Sequence, residues 1–276
     1  MFDLKGIVPP MVTPFDESGE VIYPDFESNI EKYLEAGVEG YLVLGSNAES
    51  VYLEHDEKLK LIETARKCIP ESMMLLAGTG LESTRATIQL SREAADRGVD
   101  GVLIKNPFYY KSRMTSEVYL AHYTAVADAS PVPVVLYNVP MFTGISMEAS
   151  VMIALSKHPN IRGVKESAGN VGLISEMAWA TSHDDFSIVA GAAPTLFPNM
   201  MAGASGGIVA LACAAPAVMI RLYRAFEEGD YLVAGAMQRI VAPSAVAVTA
   251  RYGIPGLKAA MKCEGFRPGL PRRPLL

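Results

Sequence analysis

The chain has 276 residues, half of them hydrophobic, and a formal net charge of −6 at pH 7. That length and apolar share suffice for one large core, and the acidic balance disfavours a nucleic-acid binder. Three cysteines, Cys68, Cys213 and Cys263, stand far apart with no CxxC pair, which argues against a disulfide framework or zinc site and for a reducing, cytoplasmic setting. The opening Met1–Phe2–Asp3–Leu4–Lys5 carries no signal-peptide pattern. The most apolar stretch, 206–220, is broken by Pro216, so no membrane span is expected there.

Short apolar, β-branched runs recur along the chain and predict eight strands: 7–12, 40–44, 74–77, 101–104, 132–136, 161–164, 186–190 and 207–210. Segments of helical periodicity separate the first six, at 25–36, 55–68, 83–97, 116–129 and 146–157. Gly37, Gly98 and Gly163 follow or trail these segments, where glycine supplies a left-handed turn. Pro70, Pro131 and Pro159 fall in helix-to-strand connections, where they interrupt no ladder. Eight buried strands alternating with helices predict a closed parallel (β/α)8 TIM barrel. A doubly wound open sheet is the second choice, but no GxGxxG opens a helix after the first strand. Three further helices, at 216–228, 231–251 and 255–263, predict a C-terminal helical extension. The expected division is a catalytic barrel over 1–215 and that extension, packed on the barrel, over 216–276. The Pro-rich tail after Gly265 is expected to lack regular structure, with Arg267, Arg272 and Arg273 solvated or touching a neighbouring subunit.

In such a barrel, reactive groups gather at the C-terminal ends of the strands. Reading outwards from each strand yields Gly45–Ser46–Asn47 after the second, Lys105 and Tyr109–Tyr110 after the fourth, Tyr137 on the fifth, Lys165 and Ser167 on the sixth and Gly191 after the seventh. The four histidines fall in predicted helices or at their ends, so no metal site is expected. An amine, phenols, hydroxyls and backbone N–H groups suit Schiff-base catalysis on a 2-oxo acid: the amine condenses with the ketone, the iminium stabilises an adjacent carbanion, and a phenol moves the proton. An ammonium on an apolar strand is poorly solvated, which favours the nucleophilic amine. Position alone leaves two lysines, Lys165 and Lys105, and allows that Tyr137 is a core tyrosine and that Ser46 and Asn47 merely cap the next helix.

Three motifs, Gly45–Ser46–Asn47–Ala48–Glu49–Ser50, Tyr137–Asn138–Val139–Pro140 and Gly163–Val164–Lys165–Glu166–Ser167, together resemble the dihydrodipicolinate synthase/N-acetylneuraminate lyase family of class I pyruvate-dependent aldolases. The resemblance runs from Gly6 to about Arg273. It implies a (β/α)8 barrel with a C-terminal helical extension, assembled as a homotetramer of tight dimers, acting on a 2-oxo acid and an aldehyde without any cofactor beyond the covalent lysine imine. It further implies Lys165 as the Schiff-base lysine, Tyr137 as the proton relay, and Ser46 with Tyr109 from a neighbouring subunit as a hydroxyl relay. Backbone N–H groups around Ser46 and Asn47 would hold the pyruvate carboxylate, and Gly191 and Ile208 would line the pocket.

Within that family the chain looks most similar to 4-hydroxy-2-oxoglutarate aldolases, which carry Gly-Ser-Asn at the second strand and a serine where Ser167 stands. The first expectation is therefore cleavage of 4-hydroxy-2-oxoglutarate to pyruvate and glyoxylate. The alternative is condensation of pyruvate with aspartate semialdehyde by a dihydrodipicolinate (4-hydroxy-tetrahydrodipicolinate) synthase. Against the alternative, those synthases use an arginine for the aldehyde's carboxylate where this chain has Phe142, and an aromatic ring offers no bidentate partner. Ala48 and Phe142 also depart from the 4-hydroxy-2-oxoglutarate aldolase pattern. A third reading, from another class, is a non-catalytic barrel that binds a keto acid.

Overall fold

A computed structural model describes residues 2–183 and 185–276. Its centre is an eight-stranded, all-parallel sheet: β1 (Gly6–Ile7), β2 (Gly40–Val43), β3 (Met74–Gly78), β4 (Gly101–Lys105), β5 (Val134–Asn138), β6 (Ile161–Glu166), β7 (Ser187–Ala190) and β8 (Gly206–Gly207). The strand order β1-β8-β7-β6-β5-β4-β3-β2 leaves β1 and β2 at the two ends. A parallel bridge between Pro10 and Leu42 joins those ends and closes the (β/α)8 barrel. Around it run α1 (Tyr23–Ala36), α2 (His55–Cys68), α3 (Thr84–Ala95), α4 (Ser116–Ala129), a short α5 (Pro140–Thr143), α6 (Ala149–Leu155), α7 (Val171–Ala180), α8 (Leu196–Met201) and α9 (Leu211–Ala214). Three helices follow: α10 (Pro216–Glu227), α11 (Tyr231–Ala245) and α12 (Gly253–Cys263).

The helices start where the local chemistry supplies caps. Ser83, Thr115, Asn170 and Asp230 accept from the backbone N–H three residues on, and Glu54 with Glu57 forms a capping box at α2. Gly37 ends α1 in the left-handed conformation (φ 76°). Gly163 is different: it lies inside β6 with no positive φ, and a Cβ there would stand 2.6 Å from the Ser187 carbonyl oxygen. Its small size serves strand packing rather than a turn.

The predicted strands and helices are all present, with shifted ends. β1 is shorter than 7–12 because Pro9 and Pro10 have no N–H to continue a ladder. β5 begins at Val134, after Pro131 and Pro133, and runs on to Asn138. α6 starts at Ala149, not 146, because the preceding residues serve Asn138: its Oδ1 accepts from Met147 N at 3.0 Å and its Nδ2 donates to Ser146 Oγ at 3.1 Å. The segment 231–251 is α-helical only to Ala245 and then forms a π-helix over Val246–Arg251. Pro243, which lacks a donor and crowds the preceding turn, stands just before that change of winding. By length and composition this segment is apolar enough to cross a membrane; here α11 packs against α10, α8 and the Ala193–Thr195 turn.

Side-chain alternation builds two apolar layers. Leu4, Val8, Leu42, Leu76, Leu103, Val135, Tyr137, Val189 and Ile208 fill the barrel interior. Their neighbours, such as Leu75, Ala77, Ile104, Val134 and Leu136, point outward into the larger layer beneath the helices. The tail carries no helix, as expected, but one of the three arginines expected to be solvated or to touch a neighbouring subunit is held within the chain. Arg272 is mostly buried, pairs with both oxygens of Glu57 and donates to the Gly19 and Tyr52 carbonyls. Arg267 is exposed, with Asp25 at 3.5 Å.

Candidate active site

The alternation that sorts the core also aims the site. On β5, Val135 and Tyr137 face the barrel interior; Tyr137 pairs in register with Lys165 on β6, so Lys165 faces inward as well. Both lie at the C-terminal ends of their strands, above the packed layers. Lys165 is 4 % exposed, and its Nζ lies 4.3 Å from the centroid of the Tyr137 ring. The Tyr137 hydroxyl is 3.4 Å from Ser46 Oγ, and either oxygen can donate.

A cavity of about 610 Å³ opens above these groups. Ser46, Asn47, Tyr137, Lys165, Ser167, Gly191, Ile208 and Phe142, eight of the nine residues singled out from the sequence, line it. The ninth, Tyr109, lies in the loop after β4, 75 % exposed and stacked edge-on against Tyr110 at 5.1 Å. Within one chain it does not reach the cavity. The rival Lys105 does not line the cavity either; it is engaged by Glu82 at 3.1 Å and lies over the Phe108 ring. Among the described residues that line the cavity, Lys165 is the sole lysine, arginine or histidine. The outer wall is mostly apolar, with Met141, Phe142, Pro194 and Tyr252, relieved by the hydroxyls of Thr195 and Thr249.

The turn after β2 is held in an uncommon backbone shape. Ser46–Ala48 form a single 3-10 turn, flanked by Leu44 and Glu49, both at φ 56°. Non-glycine residues adopt that conformation only when their surroundings impose it. Ala48 has no positive φ, so the methyl group it carries in place of glycine causes no backbone strain. Glycine instead matters at Gly191: a Cβ there would stand 1.8 Å from Ser167 Oγ. Ser167 lines the cavity, but its Oγ is itself buried, packed against Gly191, and has no hydrogen-bond partner among the described residues.

Beside Lys165, Glu166 turns outward from the barrel and is fully buried. It accepts from Asn138 Nδ2 at 2.6 Å and from Ala168 N at 2.5 Å. Burial pushes its carboxyl up, partly offset by those two donors. The Asn138 carbonyl receives Ser167 N, and the Glu166 carbonyl receives Gly191 N, so one network sets the loops after β5, β6 and β7. Cys213 is also buried near the site; its thiol donates to the Pro10 carbonyl, and burial pushes its pKa up to about 12, so it stays protonated. None of Asn138, Glu166 and Cys213 is among the candidate site residues that the sequence suggests. Asn138 and Glu166 were visible only as members of the two strand-end motifs, and nothing marked Cys213.

A (β/α)8 barrel with one sequestered amine and adjacent hydroxyls at its C-terminal rim has the build of a class I aldolase. The comparisons agree. The chain matches the dihydrodipicolinate synthetase family over residues 3–276 and belongs to it; members of this family are class I aldolases and lyases. It is 34 % identical to a 4-hydroxy-tetrahydrodipicolinate synthase from Methanosphaerula palustris over 98 % of this chain and 93 % of that protein. It is 35 % identical to a protein of the same name from Exiguobacterium sibiricum over 99 % of this chain and 92 % of that one. Among solved structures, dihydrodipicolinate synthase from Bacillus anthracis superimposes with a TM-score of 0.95 at 28 % identity, over 100 % of this chain and 94 % of that one. The Acinetobacter baumannii synthase, solved with pyruvate, has a TM-score of 0.94 at 28 % identity, over 99 % and 93 % of the two chains.

Proposed function

We propose that the protein condenses pyruvate with aspartate semialdehyde through an imine on Lys165. The observation that carries the chemistry is the placement of Lys165: a buried residue near the end of its strand, its Nζ against the Tyr137 ring, lining the cavity. The amine attacks C2 of pyruvate and water leaves. The iminium draws electrons from C3, which loses a proton and adds to the aldehyde carbon, and hydrolysis then frees the lysine. Tyr137, in reach of Ser46 Oγ, moves protons in these steps. The N–H groups of the Ser46–Asn47 turn bind the pyruvate carboxylate, and Gly191 and Ile208 shape the pocket around it. The iminium is the electron sink, and this chemistry calls for no further cofactor. A cytoplasmic homotetramer in which Tyr109 enters a neighbouring subunit's site belongs to the same proposal.

For the second substrate, the names of the relatives favour the synthase over the cleavage reaction expected first from the sequence. A second reading, cleavage of 4-hydroxy-2-oxoglutarate, draws support from Asn47 beside Ser46 and from the presence of Ser167 among the lining residues. Both aldehydes carry a carboxylate, and neither finds a cation among the described lining residues other than Lys165. Purified protein assayed with pyruvate plus aspartate semialdehyde, and separately with 4-hydroxy-2-oxoglutarate, separates the two. The synthase reading expects a kcat/KM at least about tenfold higher in the first assay, a barrier difference of about 1.4 kcal/mol. The reverse ratio overturns it.

A further inference from the structure

Outside the cavity, the charged pair Lys258–Glu49 stands out. Lys258 on α12 is 3 % exposed and Glu49 is fully buried, and the two are 2.7 Å apart. Neither lines the cavity among the described residues. We infer that they are positioning residues, which hold the Ser46–Asn47 turn in the shape that receives the pyruvate carboxylate. This rests on the reading of Lys165 as the imine-forming residue and of that turn as its carboxylate site.

The contacts converge on the turn. Lys258 Nζ donates to the Thr13 carbonyl and to the Leu270 carbonyl, each at 2.7 Å, and forms an ion pair with Glu49 Oε1. The other oxygen of Glu49 accepts from Arg272 N at 2.8 Å. Thr13 in turn donates through Oγ1 to the Ala48 carbonyl at 2.8 Å, and Glu49 N donates to the Ser46 carbonyl at 3.1 Å. Three segments distant in sequence, around Thr13, Lys258 and Leu270–Arg272, therefore grip residues 48 and 49, directly after Ser46–Asn47.

A buried ion pair is a poor way to gain stability alone, because desolvating both charges offsets most of their attraction. Burial already lowers the Lys258 pKa, and Glu49 opposes that shift. What the pair does supply is geometry. Glu49 sits at φ 56°, a backbone state that a side chain tied at both oxygens can enforce and a free glutamate would leave. With Glu49 fixed there, the N–H groups of the preceding turn keep their direction.

The test separates positioning from stability. Lys258→Met leaves the Glu49 carboxylate buried and unpaired, so melting temperature falls and the KM for pyruvate rises. Glu49→Gln combined with Lys258→Met removes both charges and recovers most of the melting temperature. A positioning role predicts that the pyruvate KM of this double variant stays raised, roughly tenfold, the worth of one charge-assisted contact, with a much smaller change in kcat. Thr13→Val cuts only the bond to the Ala48 carbonyl, leaves all charges in place, and should raise the pyruvate KM several-fold by the same route. A KM that returns to the wild-type value in the double variant, or that stays unchanged in Thr13→Val, overturns the inference. Borohydride trapping of wild-type protein with pyruvate is run alongside: no adduct on Lys165 overturns the underlying reading, whereas a normal adduct with unchanged KM values overturns the pair's role alone.

Discussion

Adding a single methyl group at Gly191 should disable the site without touching a reacting atom. The Cβ of Gly191→Ala would stand 1.8 Å from Ser167 Oγ, 2.8 Å from Ser167 Cβ and 3.1 Å from Ser167 Cα. Rotating the serine side chain removes the first contact only. Ordinary carbon contacts lie near 3.5–4.0 Å, so the loop after β6 or the one after β7 must give by roughly 0.5–1 Å. The first of these begins two residues after Lys165, and both are tied to the Glu166 network through Gly191 N and Ala168 N. Overpacking of this kind costs about 1–3 kcal/mol of stability. Misplacing a reactive group by about 1 Å costs on the order of a hundredfold in rate, about 2.7 kcal/mol of barrier. Steady-state kcat/KM for the aldol reaction, with melting temperature measured in parallel, reads both effects. Adding Ser167→Gly to the alanine variant removes the two closest contacts and should recover part of the loss. A Gly191→Ala protein with kcat/KM within about threefold of wild type would refute the argument that this contact holds the two loops apart.

Other perturbations probe separate parts of the account. Tyr137→Phe should still form the imine but turn over roughly a hundred- to ten-thousand-fold more slowly, the usual worth of a positioned acid–base group; an unchanged kcat removes the phenol from proton transfer. Phe142→Arg adds a cation to a cavity wall where Lys165 is the sole lysine, arginine or histidine among the described lining residues. Because Phe142 is 54 % exposed, solvent weakens the gain, and kcat/KM for aspartate semialdehyde should rise about three- to tenfold. No rise would mean that the aldehyde's carboxylate does not approach α5. His122 tests the core: burial, with a smaller contribution from Lys105, pushes it down from its ordinary 6.5 to about 4. The unfolded chain then binds the proton first, so stability is fully present above pH 6.5 and falls as pH drops towards 4. The total loss is roughly 3 kcal/mol at 1.36 kcal/mol per unit. Comparing melting temperatures of wild type and His122→Gln at pH 7 and pH 5 isolates this share; equal pH dependence would contradict it.

Much of the site was legible because barrel geometry converts strand position into direction. Tyr137 and Lys165 could be picked out as polar residues closing apolar runs, and their in-register pairing places them side by side. The choice between Lys165 and Lys105 was not available from position, since both end strands. The structure sets the two apart: Lys165 lines the cavity, whereas Lys105 lies outside it and pairs with Glu82, twenty-odd residues earlier. Strand ends drifted where prolines cut ladders, at Pro9–Pro10 and Pro133, a local effect that the apolar pattern alone does not register. The tail was misread for the opposite reason. Arg272 sits in a Pro-rich stretch that looks solvated, yet its partner Glu57 lies more than two hundred residues away, and no local pattern announces such a pairing. The same holds for Glu49 and Lys258. Ser167 and Gly191 were chosen by resemblance and position, but that one requires the absence of a side chain on the other appears only once β6 and β7 are adjacent.

The central claim is the imine on Lys165. Reduction with borohydride in the presence of pyruvate, followed by peptide mapping, tests it most directly. The account predicts one covalent pyruvate adduct per chain, on Lys165, absent from Lys165→Ala protein that melts like a folded barrel. No adduct on wild type, or an adduct on Lys105, would contradict it.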